Sequence, residues 1–190
     1  MNTPVISVDV EDWLQSTWDR SLEPHPRAAE NTYYLLELLE KLGIKTTMFV
    51  LGKFAKSFPK VVKAIDASSH EVDSHVYGHV EAFTQSKKEF KEDICKAKSL
   101  LEDLTCKPVI GHRSPDFSII RSNFIWGMEA IAEAGFQYDS SINPIQHSRY
   151  GIAEFPNFPV NLKLPSDRQI VVFPIASYRM NGKNYPVGGG

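Results

Sequence analysis

Short β-branched or aromatic runs alternate along the chain with stretches of helical period, an order that commits it to parallel strands joined by crossover helices. Val5-Ile6-Ser7-Val8 opens the series as a strand buried on both faces. Residues 28–42 change to a helical period, with Tyr34, Leu35, Leu38, Leu39 and Leu42 predicted to face inward and Gly43 to stop the helix. Thr46 to Leu51 reads as the second strand and Glu71 to Ser74 as the third; between them Pro59 opens a short helix that buries Val61, Val62 and Ile65. Ser86 and Glu89 form a capping box for a helix running to about Leu104, with Phe90, Ile94, Ala97 and Leu101 inward. Val109 to His112 is a strand, and the next helix uses Phe124, Ile125, Met128, Ile131 and Ala132 before a stop at Gly135. Phe136 to Tyr138 and Ile170 to Phe173 complete the strands, and the Pro- and Asn-rich segment 143–168 is expected to be an extended excursion.

Right-handed crossovers leave two architectures, a β/α barrel and a doubly wound sheet. Asp9, His75, Arg113 and Asp139 each stand just past the carboxyl end of a different strand. In a barrel those ends surround one mouth, which favours the barrel. No internal repeat or linker divides the 190 residues, so a single domain is expected. A formal net charge of -2 argues against nucleic acid as a partner. No apolar run approaches the roughly 20 residues of a membrane span. The Met1-Asn2-Thr3-Pro4 start carries no signal core, so a cytoplasmic location is expected. Cys95 and Cys106 form no CxxC pair, which removes a disulfide framework and a thiolate zinc site.

The densest chemistry lies in Asp73-Ser74-His75-Val76-Tyr77-Gly78-His79. Two imidazoles four residues apart, placed on one face of a helical turn, can aim a nitrogen at one metal ion. A third protein ligand is then needed, and Asp9-Val10-Glu11-Asp12 offers it: ionised carboxylates at a strand end need a partner or solvent. Asp9 and Glu11 share a face in an extended segment, so one can bind the metal while the other acts as a base; Asp12 points the other way unless the strand ends before it. The alternative is an exposed acidic turn in which Asp12 caps the next element. Arg113, in Gly111-His112-Arg113-Ser114-Pro115-Asp116-Phe117, can orient a catalytic carboxylate and lower its pKa, or form an ordinary surface ion pair. Pro115 stiffens that loop and Phe117 offers an apolar wall. Asp139 reads either as an anchor behind the site or as a turn cap, and His147 as a substrate contact or a loop ornament. His25, His70 and His112 read as structural.

Taken together these segments resemble the polysaccharide deacetylases, the NodB-homology group of carbohydrate esterase family 4, and within them the subgroup that begins D-V-E-D-W and is associated with exopolysaccharide loci. The resemblance runs from Ser7-Val8-Asp9-Val10-Glu11-Asp12-Trp13 through Thr47 to Gly52, His70 to His79, Gly111 to Pro115 and Tyr138 to Pro144, reaching His147 to Gly151. It implies a distorted β/α barrel and an acid-His-His site for a divalent metal, usually Zn2+. Carried over by position, Asp9 is the general base, His75 and His79 are metal ligands, and Arg113 holds Asp9. The acidic ligand falls on Glu11, with Asp12 as the other choice, and Asp139 supports the site. The implied reaction is hydrolysis of N-acetyl groups on amino-sugars of a polysaccharide or oligosaccharide. Relatives place a general-acid histidine near their C-terminus, whereas no histidine follows His147 here. The chain is accordingly expected to be C-terminally truncated, to lack the last strands, and to be either an active deacetylase or a poorly active metal- or carbohydrate-binding domain. An allantoinase-like cyclic-amide hydrolase resembles the same fold. The oligomeric state is not encoded in any of these features.

Overall fold

The computed structural model describes residues 5–187. Two compact units make up the chain: one runs to His79 and adds Lys96–Val109, and the other comprises Val80–Cys95 and the chain from Ile110 onward.

In the first unit, β1 (Ser7–Val10), β2 (Thr47–Val50) and β3 (Glu71–Ser74) pair side by side and parallel. Asp9 pairs with Phe49 and Phe49 with Asp73, and Val10, Val50 and Ser74 form the next row. This register makes β1 and β3 end level, so residues 11 and 75 leave the sheet at the same edge. Crossovers are supplied by α1 (Pro26–Leu42), α2 (Gly52–Ser57) and α3 (Pro59–Ala67). The β2 run is apolar on both faces, and Met48, Phe49, Val50 and Leu51 are all buried, as a central parallel strand requires. Pro26 occupies the first turn of α1, where its missing N–H costs nothing, and the His25 ring accepts the Arg27 N–H at 3.1 Å as the cap. Gly43 ends the helix in the left-handed conformation, φ 65°, with its N–H on the Glu40 carbonyl at 3.0 Å.

The inward face of α1 differs from the expected one. Ala29, Thr32, Leu36 and Leu39 are buried, while Tyr34, Leu38 and Leu42 are exposed. Both stripes have helical spacing; α1 is apolar on two sides, so periodicity alone cannot choose between them. Val61, Val62 and Ile65 of α3 are buried as expected.

The helix α4 (Lys87–Thr105) begins at the anticipated capping box: the Ser86 N–H donates to Glu89 Oε2 at 2.8 Å and the Glu89 N–H to Ser86 Oγ at 3.3 Å. Phe90, Ile94, Ala97 and Leu101 are completely buried; each large side chain among them contributes on the order of 1.5–3 kcal/mol. Residues up to Cys95 of this helix belong to the second unit and those from Lys96 to the first.

In the second unit β4 (Gly111–His112), β5 (Tyr138–Asp139) and β7 (Gln169–Val172) are parallel neighbours. Helix α5 (Phe124–Glu133) buries Met128 and Ile131 but leaves Ile125 exposed, against expectation. The excursion 143–168 contains a strand, β6 (Val160–Lys163), antiparallel to β7. A separate hairpin, β8 (Ser177–Met180) and β9 (Lys183–Pro186), follows. Its alternating polar residues carry no core-facing apolar pattern, so periodicity gives no sign of it. The class is α/β with mainly parallel strands, as predicted. No helix among the described residues is long and apolar enough to cross a membrane.

Candidate metal centre

Because β1 and β3 end in register, Glu11 and the loop His75–His79 emerge together. Glu11 Oε2 lies 3.0 Å from His79 Nε2 and 3.7 Å from His75 Nε2. One ligand atom from each of the three residues falls within 4.8 Å of the others. Both imidazoles are 2% exposed, with ring centroids 5.3 Å apart and planes at 68°.

The histidines are not on a helical turn, contrary to the expectation from their spacing. The segment after Ser74 is irregular, and Val76 and His79 both take left-handed backbone, φ 56° and 57°. Such a conformation in a β-branched residue costs on the order of 1–3 kcal/mol, so the surroundings must hold it. The start of α2 does so: the Gly52 N–H donates to the Val76 carbonyl at 2.9 Å and the Lys53 N–H to the Tyr77 carbonyl at 3.0 Å. Residue 52 has to be glycine for this approach, since a Cβ there would lie 2.5 Å from Tyr77 Cδ2 and 2.8 Å from its Cα. The Tyr77 ring is covered by Lys96 Nζ at 3.6 Å from its centroid.

Burial pushes the Glu11 carboxyl up, but the hydrogen bond from His79, the charges of His75 and His79, and a hydrogen bond from Ser16 outweigh it and hold the group at about 2. Ser16, fully buried, is a site residue that sequence reasoning missed; a serine in a short polar stretch carries no signal of its own. One carboxylate oxygen and two imidazole nitrogens, converging from buried positions, fit the three-ligand set of a divalent cation with an open fourth position.

Glu11 and Asp12 are placed differently. Asp12 is buried, its Oδ2 accepts the His25 N–H at 2.8 Å, and its carbonyl accepts the Ser16 N–H at 2.8 Å. It fastens the turn after β1 and is not among the converging ligand atoms. Asp9 is exposed at the end of β1 and lines a cavity of about 260 Å³ together with Glu11. His70 is structural: its Nδ1 faces the Thr46 N–H at 3.2 Å, and burial, then Lys45, lowers its pKa.

The remaining predicted residues lie in the second unit. Arg113 is buried and donates from Nε to the Ser140 carbonyl at 3.1 Å and from Nη2 to Ser140 Oγ at 3.0 Å. Asp139 is completely buried; its Oδ2 lies 2.8 Å from His112 Nδ1 and accepts Ser141 Oγ at 2.6 Å, while Oδ1 accepts the Ser141 N–H at 2.9 Å. Pro115 opens a tight turn in which Asp116 and Phe117 are left-handed, φ 51° and 49°. Phe117 meets Tyr150 edge-on at 5.5 Å, and Tyr150 stacks on the exposed His147 at 3.9 Å. Arg149 fixes this group by pairing with Glu81 at 2.9 Å and Asp116 at 2.7 Å.

Comparison with known proteins identifies the family. Residues 11–138 match the family model for polysaccharide deacetylase, and residues 140–190 match a domain of unknown function (DUF3473). The chain is 31% identical over 110 residues to a peptidoglycan deacetylase of Helicobacter pylori, covering 57% of this chain and 36% of that protein. It is 29% identical over 100 residues to a peptidoglycan-N-acetylglucosamine deacetylase of Bacillus cereus, covering 53% and 36%. The chain thus spans about a third of the length of these curated relatives. The crystal structure of a protein from Mycobacterium smegmatis, assigned as a polysaccharide deacetylase, shares the fold with a TM-score of 0.72 at 20% identity, over 90% of this chain and 58% of that one. The family model begins at Glu11 and takes in both histidines of the converging trio and Arg113, and on this match the chain belongs to the polysaccharide deacetylase family.

Proposed function

We propose that the chain carries the metal-binding part of a hydrolase that removes N-acetyl groups from amino-sugar residues of a polysaccharide or oligosaccharide. The observation that carries this reading is the convergence of Glu11, His75 and His79 within ligand distance of one another. In this reading those three residues hold a divalent cation, Zn2+ being the natural choice for a nitrogen- and oxygen-donor set with an open position. A cation bound there supplies Lewis acidity, polarising an acetamide carbonyl and acidifying the attacking water.

Asp9 is the proposed general base. It sits at the open end of β1, two residues from Glu11, and an exposed carboxylate there can take a proton from water as its oxygen attacks the carbonyl carbon. The proton passes to the departing nitrogen as the C–N bond breaks, giving acetate and the free amine. Glu11, with its low pKa, stays ionised and remains a ligand throughout. The names of the bacterial relatives point to N-acetylglucosamine-containing glycans as the substrate class.

Acetate release from an N-acetylglucosamine oligosaccharide, with allantoin as the competing substrate, tests the proposal. Activity that requires zinc and falls at least about a hundredfold in Asp9→Asn supports it. Turnover of allantoin with no acetate from the oligosaccharide overturns it in favour of a cyclic-amide hydrolase.

A further inference from the structure

The segment just after the acidic ligand presents two indoles to solvent. The chain has three tryptophans. Trp126 is partly buried in α5, whereas Trp13 and Trp18 are 62% and 76% exposed. Tryptophan is highly buried on average, so two open indoles side by side call for an occupant. Their ring centroids lie 6.4 Å apart with planes at 36°, which makes one shallow, angled apolar surface.

This surface is held rigidly. Residues Leu14–Trp18 form a single π-helical turn, a rare element that is frequent at functional sites. Its middle, Gln15 and Ser16, is completely buried, so the turn is anchored from within while its two ends carry the indoles outward. The Ser16 N–H binds the Asp12 carbonyl at 2.8 Å and the Asp19 N–H binds the Leu14 carbonyl at 2.9 Å. Lys53 donates to the Arg20 carbonyl and fastens the exit of the turn to the start of α2. Through Ser16, the same turn hydrogen-bonds the Glu11 carboxylate.

The surroundings select the occupant. Trp13 is a wall of the cavity of about 260 Å³ that Asp9 and Glu11 also line, and Arg27 and Asn31 of α1 add polar groups to it. An electron-rich aromatic face bordered by carboxylate, guanidinium and amide groups suits a molecule with an apolar C–H face and a rim of hydroxyls. A pyranose ring is such a molecule. We propose that Trp13 and Trp18 are a stacking platform for a sugar unit of the glycan, adjoining the unit presented to Glu11, His75 and His79. The choice of a glycan rests on the deacetylase reading above, and the two are separable by experiment.

The test uses the whole chain with its indole nitrogens labelled for NMR, assigned with Trp13→Phe, Trp18→Phe and Trp126→Phe, and titrated with the N-acetylglucosamine tetrasaccharide in the presence of EDTA. The Trp13 and Trp18 indole signals are expected to shift while that of Trp126 stays. Trp13→Ala and Trp18→Ala are each expected to weaken tetrasaccharide binding roughly tenfold. In zinc-loaded enzyme the loss is expected to fall on KM for the tetrasaccharide rather than on kcat. Because both indoles are exposed, thermal unfolding of the variants is expected to match the parent chain, which separates lost binding from lost fold.

Unmoved Trp13 and Trp18 signals at saturating sugar, or variants that bind like the parent, would overturn the platform. So would self-association of the parent chain in sedimentation that either alanine variant abolishes, since that assigns the indoles to a protein interface. Acetate release with KM unchanged in both variants leaves the deacetylase reading standing without the platform. Sugar binding through both indoles with no acetate release does the reverse.

Discussion

Two carboxylate–imidazole clusters, one in each unit, are built from the same residue types and differ in the number of imidazoles and in how open the carboxylate is to solvent. Asp139 accepts from the Ser141 N–H and hydroxyl and contacts His112 Nδ1, and both it and His112 are completely buried. Three partners fill most of a carboxylate's roughly four acceptor sites. Ser141 Oγ in turn accepts the Ser114 N–H at 2.8 Å, so the cluster stitches the loop after β4 to the loop after β5. Glu11 instead faces two imidazole edges and stays partly open to solvent, with side-chain exposure of 19%, on a loop pair that includes two left-handed residues. A fully buried pair bonded to both loops locks them together. A trio with two imidazoles, a partly exposed carboxylate and a braced left-handed backbone has the donor set to take a cation. Residue type alone does not distinguish the two; the number of imidazoles and the exposure of the carboxylate do.

The contrast can be broken from either side. The largest expected effect is from Asp139→Ala, which strands His112 and the Ser141 donors in the core and should lower the free energy of urea unfolding by about 3–5 kcal/mol. The metal content of the fraction still folded is expected to be unchanged. Gly52→Ala should act the other way: its Cβ displaces Tyr77 and the loop carrying both histidines. Zinc affinity by competition titration is expected to fall roughly 10–100-fold, with about 1–3 kcal/mol lost in stability.

Acid should separate the clusters from ordinary ion pairs. Metal uptake requires imidazoles without protons, so zinc affinity is expected to fall as pH is lowered, read by calorimetry in buffers of different pH. The smallest effect concerns Glu133. Hydrogen bonds from Lys87 and Lys91, each at 2.8 Å, hold its carboxyl at about 2, below its ordinary 4.5. A lowered pKa gives stability that is complete above about 4.5 and lost as pH falls toward 2. Because these three groups lie at the surface, Glu133→Gln should change unfolding at neutral pH by no more than about 1 kcal/mol and flatten the acid limb.

Much of this was legible from sequence where a local rule has one solution. The Ser86–Glu89 box, the Gly43 stop, Pro59 and the apolar faces of α3 and α4 all specify their own geometry, and the order of strands and helices specified parallel pairing. Glu11, His75 and His79 were also singled out, because carboxylate and imidazole types at strand ends are hard to assign to packing. The route by which they meet was not legible. The i,i+4 spacing suggested a helical turn, whereas the histidines meet through left-handed backbone braced by Gly52, a long-range contact that no window along the chain reveals. Periodicity does not specify the inward stripe of α1, because two stripes qualify. The part played by Ser16 depends on a π-helical turn that has no sequence signature, and the exposure of Trp18 beside Trp13 is visible only in the fold.

The central claim is tested most directly by the zinc content of the folded chain after loading and removal of excess metal, measured alongside His75→Ala and His79→Ala. About one zinc per chain in the parent and little in either variant is the expected result, with all three proteins folded by circular dichroism. Zinc at the same stoichiometry in both variants would contradict it and would remove Glu11, His75 and His79 from any metal-dependent chemistry.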